Sequence, residues 1–329
     1  MFEDLKIVIP VAGVGTRLRP HTLATPKPLL PVAGKTILGH ILDPLADLNP
    51  GEVAFVVGYL GDQIVEYVEK NYRFKATFIE QKELHGLGFA INIALNQLSD
   101  GPTLVILGDT ITRTSYTEFI NTGNNVIGLK KVEDPRRFGI AVIEGDRIVT
   151  FEEKPREPRS DLAIIGLYYF ENSAVLKKHI GKVIDMDKRT RGEIQLTDAL
   201  EFMVRDGNIF RPYQVNEWYD CGKKETMLET NQALLAGRED TADYPDSEII
   251  PPVAIDPSAE ITDSKIGPNV SISANVKISH SIIKDSIIGQ NAFIIESTLT
   301  DSIIGGHASI KRQSSRLNVG DYSELDGQH

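Results

Sequence analysis

The feature that most restricts how this chain can fold is a short aliphatic period near its carboxyl end. "TDSKIG", "KDSIIG" and "TDSIIG" begin at residues 262, 284 and 300. Isoleucines six apart recur at Ile266, Ile272 and Ile278, at Ile288 and Ile294, and at Ile304 and Ile310. A period of six, with an aliphatic residue followed by glycine, is the hexapeptide signature of a β-helix, in which each coil buries its aliphatic column against the next. An ordinary antiparallel sandwich is the alternative. The stretch "REDTADYPDSEIIPP" before the repeat is polar and contains proline, so it reads as a linker. The expected division is a first domain over 1–237, a linker over 238–252 and a β-helix over 253–329.

Upstream, a different rhythm holds. "KIVIPVAG", "EVAFVVG", "ATFIEQ", "TLVILG" and "NNVIGLKKV" read as strands, with amphipathic segments such as "DQIVEYVEKNY" and "LGFAINIALNQL" between them. Such alternation predicts an α/β fold with a mostly parallel sheet covered by helices on both faces. From 138 to 170, "FGIAVIEGDRIVTFEEKP" and "LAIIGLYYF" switch to alternating strands around an "EGDR" turn, an antiparallel lobe or lid. Residues 195–236 return to helix, strand, helix. Ligands of parallel α/β sheets bind beyond the carboxyl ends of the strands. "AGVGTRLRPHTLATPKPLLP" (12–31) follows the first strand and is placed there.

Charge says what that loop could hold. The formal net charge of -11 argues against a nucleic-acid binder, whose affinity comes from cations neutralising phosphates. Residues 5–42 are a local exception, with Lys6, Arg17, Arg19, Lys27 and Lys35 and no acid at all. Gly13 and Gly15 let the backbone approach an anion, and the Arg17 fork can grip two phosphate oxygens. The prolines around Lys27 hold it on a stiff, non-helical path. A solvated basic loop is the plainer alternative. No apolar run approaches the roughly 20 residues needed to span a bilayer, the N-terminus lacks a signal-peptide pattern, and the single Cys221 cannot form an internal disulfide. A cytoplasmic protein without membrane partners is expected.

"PVAGVGTRLRP" followed by "TPKPLLPVAGK" resembles the signature of the sugar-1-phosphate nucleotidyltransferases, G-x-G-T-R-L and then P-K-P-L-[LM]-P-[VI]. The resemblance implies a Rossmann-like catalytic domain and, with the hexapeptide tail, a left-handed β-helix. It places the nucleotide against Ala12, Gly13, Gly15 and Thr16, with Arg17 and Lys27 acting on the triphosphate. Ala12 departs from the first glycine that many members carry. "EQKELHGLGFA" is similar to the base-binding segment through Gln81 and Gly86, and the Gln81 amide suits uracil or thymine. Asp109 in "LVILGDT" and Asp220 in "WYDCG" match the carboxylates that hold Mg²⁺ in the family; read alone, Asp109 is equally a helix cap. In "FEEKP", Lys154 matches the sugar-phosphate lysine and Glu153 the sugar-hydroxyl acid, although a surface ion pair explains Lys154 as well. Gly139 and Gly166 match positions where backbone lies against the sugar, and "RGEIQLTDAL" (191–200) is similar to a segment that supports that pocket. Cys221 is given no role.

The implied reaction joins a nucleoside triphosphate to a sugar 1-phosphate, giving a nucleotide sugar and pyrophosphate. UTP or dTTP with glucose 1-phosphate is the first expectation, and GTP with mannose 1-phosphate stays open. So does a non-catalytic relative that binds a partner through the β-helix. Acyl transfer by the β-helix is matched less well, since only His280 and His307 lie among about three to four short coils. A nicotinamide dehydrogenase lacks support because Leu18 stands where the third glycine of its fingerprint belongs. The open end and flat faces of a stack of coils predict a homo-oligomer.

Overall fold

The computed structural model describes residues 2–238 and 244–327, so residues 239–243 of the expected linker lie outside the described residues. The chain forms two compact units: Met1–Gly13 with Ile41–Trp218, and Val14–His40 with Tyr219–His329. The basic, proline-rich loop thus groups with the β-helix rather than with the strand it follows.

The first unit is built on a nine-stranded, mixed, Rossmann-like sheet. Its strands are β1 (Lys6–Pro10), β2 (Glu52–Val57), β3 (Ala76–Glu80), β4 (Thr103–Ile106), β5 (Asn125–Lys131), β6 (Gly139–Glu144), β7 (Arg147–Glu153), β8 (Leu162–Phe170) and β9 (Arg211–Gln214). The spatial order is β7-β6-β8-β4-β1-β2-β3, and β5 pairs with β8 and β9. β3, β2, β1 and β4 run parallel. Ile7, Val8 and Ile9 are all fully buried, which is why β1 reads as a continuous apolar run rather than an alternation.

The helices are α1 (Ile37–Ala46), α2 (Gly61–Asn71), α3 (Leu87–Leu95), α4 (Tyr116–Ile120), α5 (Ser173–Asp185), α6 (Leu196–Arg205) and α7 (Lys224–Leu235). Ile91 and Ala94 of α3, Leu176 and Ile180 of α5, and Ala199 and Leu200 of α6 pack with Val8, Val56 and Val105 in one core. Asn172 starts α5 by accepting the Ala174 amide.

The antiparallel segment continues this same sheet. β6 and β7 form a hairpin at its edge, turned at Gly145 with φ 63°. The register of β8 slips between Ile164 and Tyr168. Gly166 lies in that slip at φ 82°, and a Cβ there would come within 2.7 Å of the Leu107 side chain, so only glycine fits. The expected single strand over "RPYQVNEWYDCG" is two, Arg211–Gln214 and Glu217–Asp220. β9 pairs parallel with β5, and after the Val215 amide donates to Leu129 O the chain leaves the sheet.

The second unit contains three parallel five-stranded sheets, the three-faced arrangement expected of a left-handed β-helix. Ile266, Ile272 and Ile278 fall on successive faces and are all buried. There are five rungs where the sequence pattern suggested fewer. The two rungs that the isoleucine pattern passes over are the first, over 248–262, which begins inside the stretch read as linker, and the last, over 314–326, which carries no isoleucine. In the rungs between, Ile278 to Ile283 to Ile288 and Ile294 to Leu299 to Ile304 advance by five, and these residues also point inward. Glu248–Ile249, inside the stretch read as linker, already pairs with Lys265–Ile266.

The "DS" pairs have a separate job. Asp263, Asp285 and Asp301 take left-handed backbone at φ 45°, 48° and 46°, a conformation Asp tolerates better than most residues. The serines that follow them point inward. The Ser281 amide donates to Ser264 Oγ and the Ser297 amide to Ser281 Oγ, each at 3.1 Å. The Ser302 amide does the same to Ser286 Oγ at the other corner. Each hydroxyl donates in turn to a carbonyl two residues back, so these ladders leave no hydroxyl unmet.

Ile294 is fully buried between coils. Ile294→Ala should destabilise the β-helix by about 2–4 kcal/mol, the usual cost of such a cavity. A lowered urea midpoint, followed by circular dichroism, checks this.

Candidate active site

In the first unit the predicted residues collect at one edge of the sheet. β1, β2, β3 and β4 are parallel, so the segments leaving their carboxyl ends all emerge on the same side. Ala12 and Gly13 follow β1, Gln81 follows β3, and Asp109 lies in the turn after β4. Ala12 is buried against Gly58, where a Cβ would come within 3.0 Å of the Ala12 Cβ; around Gly13 there is open space. Asp109 precedes a strand, Thr110–Arg113, so it caps no helix.

β8 runs antiparallel to β4, pairing Leu167 with Ile106, which brings Gly166 beside Leu107. The Leu107 amide donates to Gly166 O at 2.9 Å. Gly139 begins β6 opposite Glu153 at the end of β7. Glu153 is held twice: Oε2 accepts the Thr197 hydroxyl at 2.8 Å, and Oε1 faces Lys154 Nζ at 3.1 Å. Its side chain is 9% exposed, so the pair of partners is what makes the charge tolerable there. A Cβ at Gly139 would lie 3.0 Å from Glu153 Oε2 and 3.2 Å from Thr197 Oγ1, so Gly139 leaves room for this arrangement. Lys154 takes φ 42°, and its carbonyl accepts Arg191 Nη2 at 2.8 Å. Burial, and then the charges of Glu153 and Asp109, push the Tyr168 hydroxyl above its ordinary pKa.

Gln81 and Gly86 are fixed by a different contact. Gln81 is buried, its Nε2 donating to Glu83 O at 3.0 Å. The Ile194 amide donates to His85 O at 2.8 Å and Ile194 O accepts the Gly88 amide at 2.9 Å. Gly86 sits at φ 108°, and a Cβ there would stand 2.7 Å from Ile194 O. The segment 191–200 thus supports both places, the turn at Gly86 through Ile194 and Glu153 through Thr197. The contacts of its single residues were not visible in the sequence, because they depend on how α6 packs.

In the second unit the basic loop folds back on itself. Gly15 takes φ 67°, and a Cβ there would stand 3.0 Å from Thr22 Cγ2 and 3.1 Å from Lys27 Cβ. Thr22 Oγ1 donates to Gly15 O at 2.9 Å. Thr16 and Arg17 open the first of three short 3₁₀ turns, and both are exposed, while Lys27 is 8% exposed. Asp220 ends its strand beside Gly222, where a Cβ would lie 2.8 and 3.1 Å from the Asp220 oxygens and 3.3 Å from Arg17 Nη2. Glycine there lets the backbone lie close to a carboxylate and a guanidinium. Cys221 between them is fully buried. Among the described residues no group of three or more His, Cys, Asp or Glu side chains gathers for a metal, and no helix is long and apolar enough to cross a membrane.

Residues 6–237 match the model of the nucleotidyl transferase family. The chain is 36% identical over 234 residues to the bifunctional protein GlmU of Methanococcus aeolicus, covering 69% of this chain and 54% of the relative. It therefore spans about half the length of that relative. It is 31% identical to a glucose-1-phosphate thymidylyltransferase of Streptomyces griseus, over 78% of this chain and 74% of the relative. A solved structure from Bacillus anthracis, described as a candidate glucose-1-phosphate thymidylyltransferase with sucrose, superimposes with a TM-score of 0.61 at 25% identity. The match covers 72% of this chain and 98% of that one.

His21 in the loop is buried, with Nε2 2.9 Å from Asn318 Oδ1. Burial pushes its imidazole pKa below the ordinary 6.5, and the Lys224 charge adds to this, against the Asn318 bond and the Asp321 charge. Above the ordinary value both folded and unfolded chains hold a neutral ring, and this site adds no pH dependence. Below it the unfolded chain takes up the proton more readily, so stability falls as acid is added. His21→Gln should therefore lose less stability than the wild type between about pH 7 and about pH 5. Denaturation curves at the two pH values check it, and identical losses would refute it.

Proposed function

The chain belongs to the nucleotidyl transferase family, and from that premise we propose that it joins a nucleoside triphosphate to a sugar 1-phosphate, releasing pyrophosphate. The reading is supported above all by the folded-back loop, which packs Lys27 against Gly15 while the neighbouring Arg17 guanidinium borders the space beside Gly222. A glycine-containing turn that carries an arginine and a lysine is suited to a polyphosphate.

In the reaction, an oxygen of the sugar phosphate attacks the α-phosphorus in line. The bond from that phosphorus to the bridging oxygen breaks, and pyrophosphate leaves with the electron pair. The nucleophile is already anionic and needs no general base. His21 fits this reading, because its ring is occupied by Asn318. The protein must align two repelling anions and offset charge on the leaving group. Arg17 and Lys27 serve the triphosphate, with Ala12, Gly13, Gly15 and Thr16 giving it backbone room. Lys154 binds the incoming phosphate, and Glu153, oriented by Thr197, accepts sugar hydroxyls beside Gly139 and Gly166. Gln81 and Gly86 carry the base. Asp109 and Asp220 are the proposed carboxylates for Mg²⁺, which combines a few carboxylates with phosphate oxygens and waters. Bound there, Mg²⁺ supplies positive charge to phosphate oxygens.

Glucose 1-phosphate with UTP or dTTP is the preferred pair, supported by the thymidylyltransferase relative. We place the catalytic domain at 1–237 and the β-helix at the carboxyl end, with the linker expected over 238–252 shortened to the residues before Glu248–Ile249, which already pairs in the first rung, in a cytoplasmic homo-oligomer. Pyrophosphate release across four nucleoside triphosphates and three sugar phosphates, including mannose 1-phosphate with GTP, assigns the substrates. Lys27→Ala and Asp109→Asn should each lower turnover by on the order of a hundredfold or more, with melting curves like the wild type. Full turnover in either folded variant would overturn the assignment.

A further inference from the structure

We propose that the last coil of the β-helix is a positioning element for the triphosphate loop, with Asn318 and Asp321 fixing the segment that joins Arg17 to Lys27. The inference rests on the reading that this loop binds a nucleoside triphosphate. It adds two residues outside the catalytic signature to the machinery of that site.

The loop needs outside support. Between Gly15 and Leu30 it is made of three 3₁₀ turns, Thr16–Leu18, His21–Leu23 and Lys27–Leu29, none of which has a side-chain cap. Such turns are short and poorly hydrogen-bonded, so they do not hold a conformation by themselves. The Thr22 to Gly15 bond closes one end. The middle is held by the β-helix. His21 Nε2 lies 2.9 Å from Asn318 Oδ1, and the Thr25 hydroxyl donates to Asp321 Oδ2 at 3.1 Å. Gly320 lies between these two anchors, and a Cβ there would stand 2.9 Å from Pro20 Cβ, so its missing side chain lets the coil reach the loop.

Asp321 is itself fixed. Its second oxygen accepts the Gly306 amide of the coil before at 3.0 Å. The carboxylate therefore cannot follow a moving loop; it ties the loop to the stacked coils. Lys224 at the start of α7 donates to Leu317 O at 3.2 Å, which binds the helix after Asp220 to the same coil. The two residues held, His21 and Thr25, both lie between Arg17 and Lys27 in sequence. Misplacing them moves the cations relative to each other, which weakens the grip on a polyphosphate without touching the sugar side.

The test uses the full chain. Asn318→Ala, Asp321→Ala and Thr25→Val should each raise the KM for the nucleoside triphosphate about tenfold, the scale of one lost hydrogen bond. The KM for sugar 1-phosphate and the melting temperature should stay close to wild type. Thr25→Ser keeps the hydroxyl and should restore the wild-type KM, and Glu324→Ala, an exposed change in the same coil, should leave it unaltered. Hydrogen exchange gives a readout independent of catalysis. The Leu18, Leu23 and Leu30 amides donate within the loop, and they should exchange faster in Asp321→Ala while the β1 amides do not. A wild-type protein that releases no pyrophosphate with any nucleotide would refute the proposed function, and loop exchange would then decide the inference alone. Unchanged nucleotide KM together with unchanged loop exchange would overturn it, as would a parallel rise in both KM values that tracks a lowered melting temperature.

Discussion

One buried amide organises the second unit. Asn231 of α7 is 1% exposed, and its Oδ1 accepts both the Ala33 amide at 2.9 Å and the Ser271 hydroxyl at 2.6 Å. Its Nδ2 donates to Asn269 O at 3.0 Å. Three pieces of chain that are far apart in sequence, the end of the signature loop, a helix and a coil of the β-helix, meet on one side chain. Leaving any of those polar groups unmet in a dry interior costs about 1–3 kcal/mol. That penalty ties the loop to the coils and gives the loop's membership of this unit a physical cause.

The same economy of contacts governs Glu153 in the first unit. Glu153 is nearly buried, and a carboxylate there is tolerable only with partners on both oxygens. Thr197 and Lys154 supply them, and the glycine at 139 leaves the room. Gly86, Gly139 and Gly166 were expected because of a ligand, and each also has a neighbour occupying the place of a Cβ: Ile194 O, Glu153 with Thr197, and Leu107. These glycines let protein pack against protein in the turns that carry the site. The two explanations are compatible, since a turn that must lie close to a ligand must itself be held.

Much of the architecture was legible in order along the chain. The β-branched runs that became β1 to β5, the "EGDR" hairpin and the inward isoleucines of the repeat follow from local pattern, because burial on a strand or a coil is periodic. The rungs that were missed are the first, whose start at Glu248–Ile249 is hidden in a polar, proline-containing stretch, and the last, over 314–326, where no isoleucine marks the column. Ile283 and Leu299 escaped for another reason, since a search at fixed period passes over a column whose spacing shortens from six to five. The break in "RPYQVNEWYD" was missed for a related reason: nothing in its composition says that the chain abandons the sheet after Gln214.

The sequence by itself determined which residue types are present and in what order: a run of cations without acids, glycines in the loop after the first strand, two aspartates next to strands, and the signature that assigns the family. Those are properties of residue type and spacing, and they survive without coordinates. Only the tertiary structure decided which groups hold those residues in place. Thr197 reaches Glu153 across 44 positions, Asn231 reaches Ala33 across 198, and Asp321 reaches Thr25 across 296. Hydrogen bonds of that span are set by packing, not by local propensity, because no period in a sequence records where its distant parts will meet.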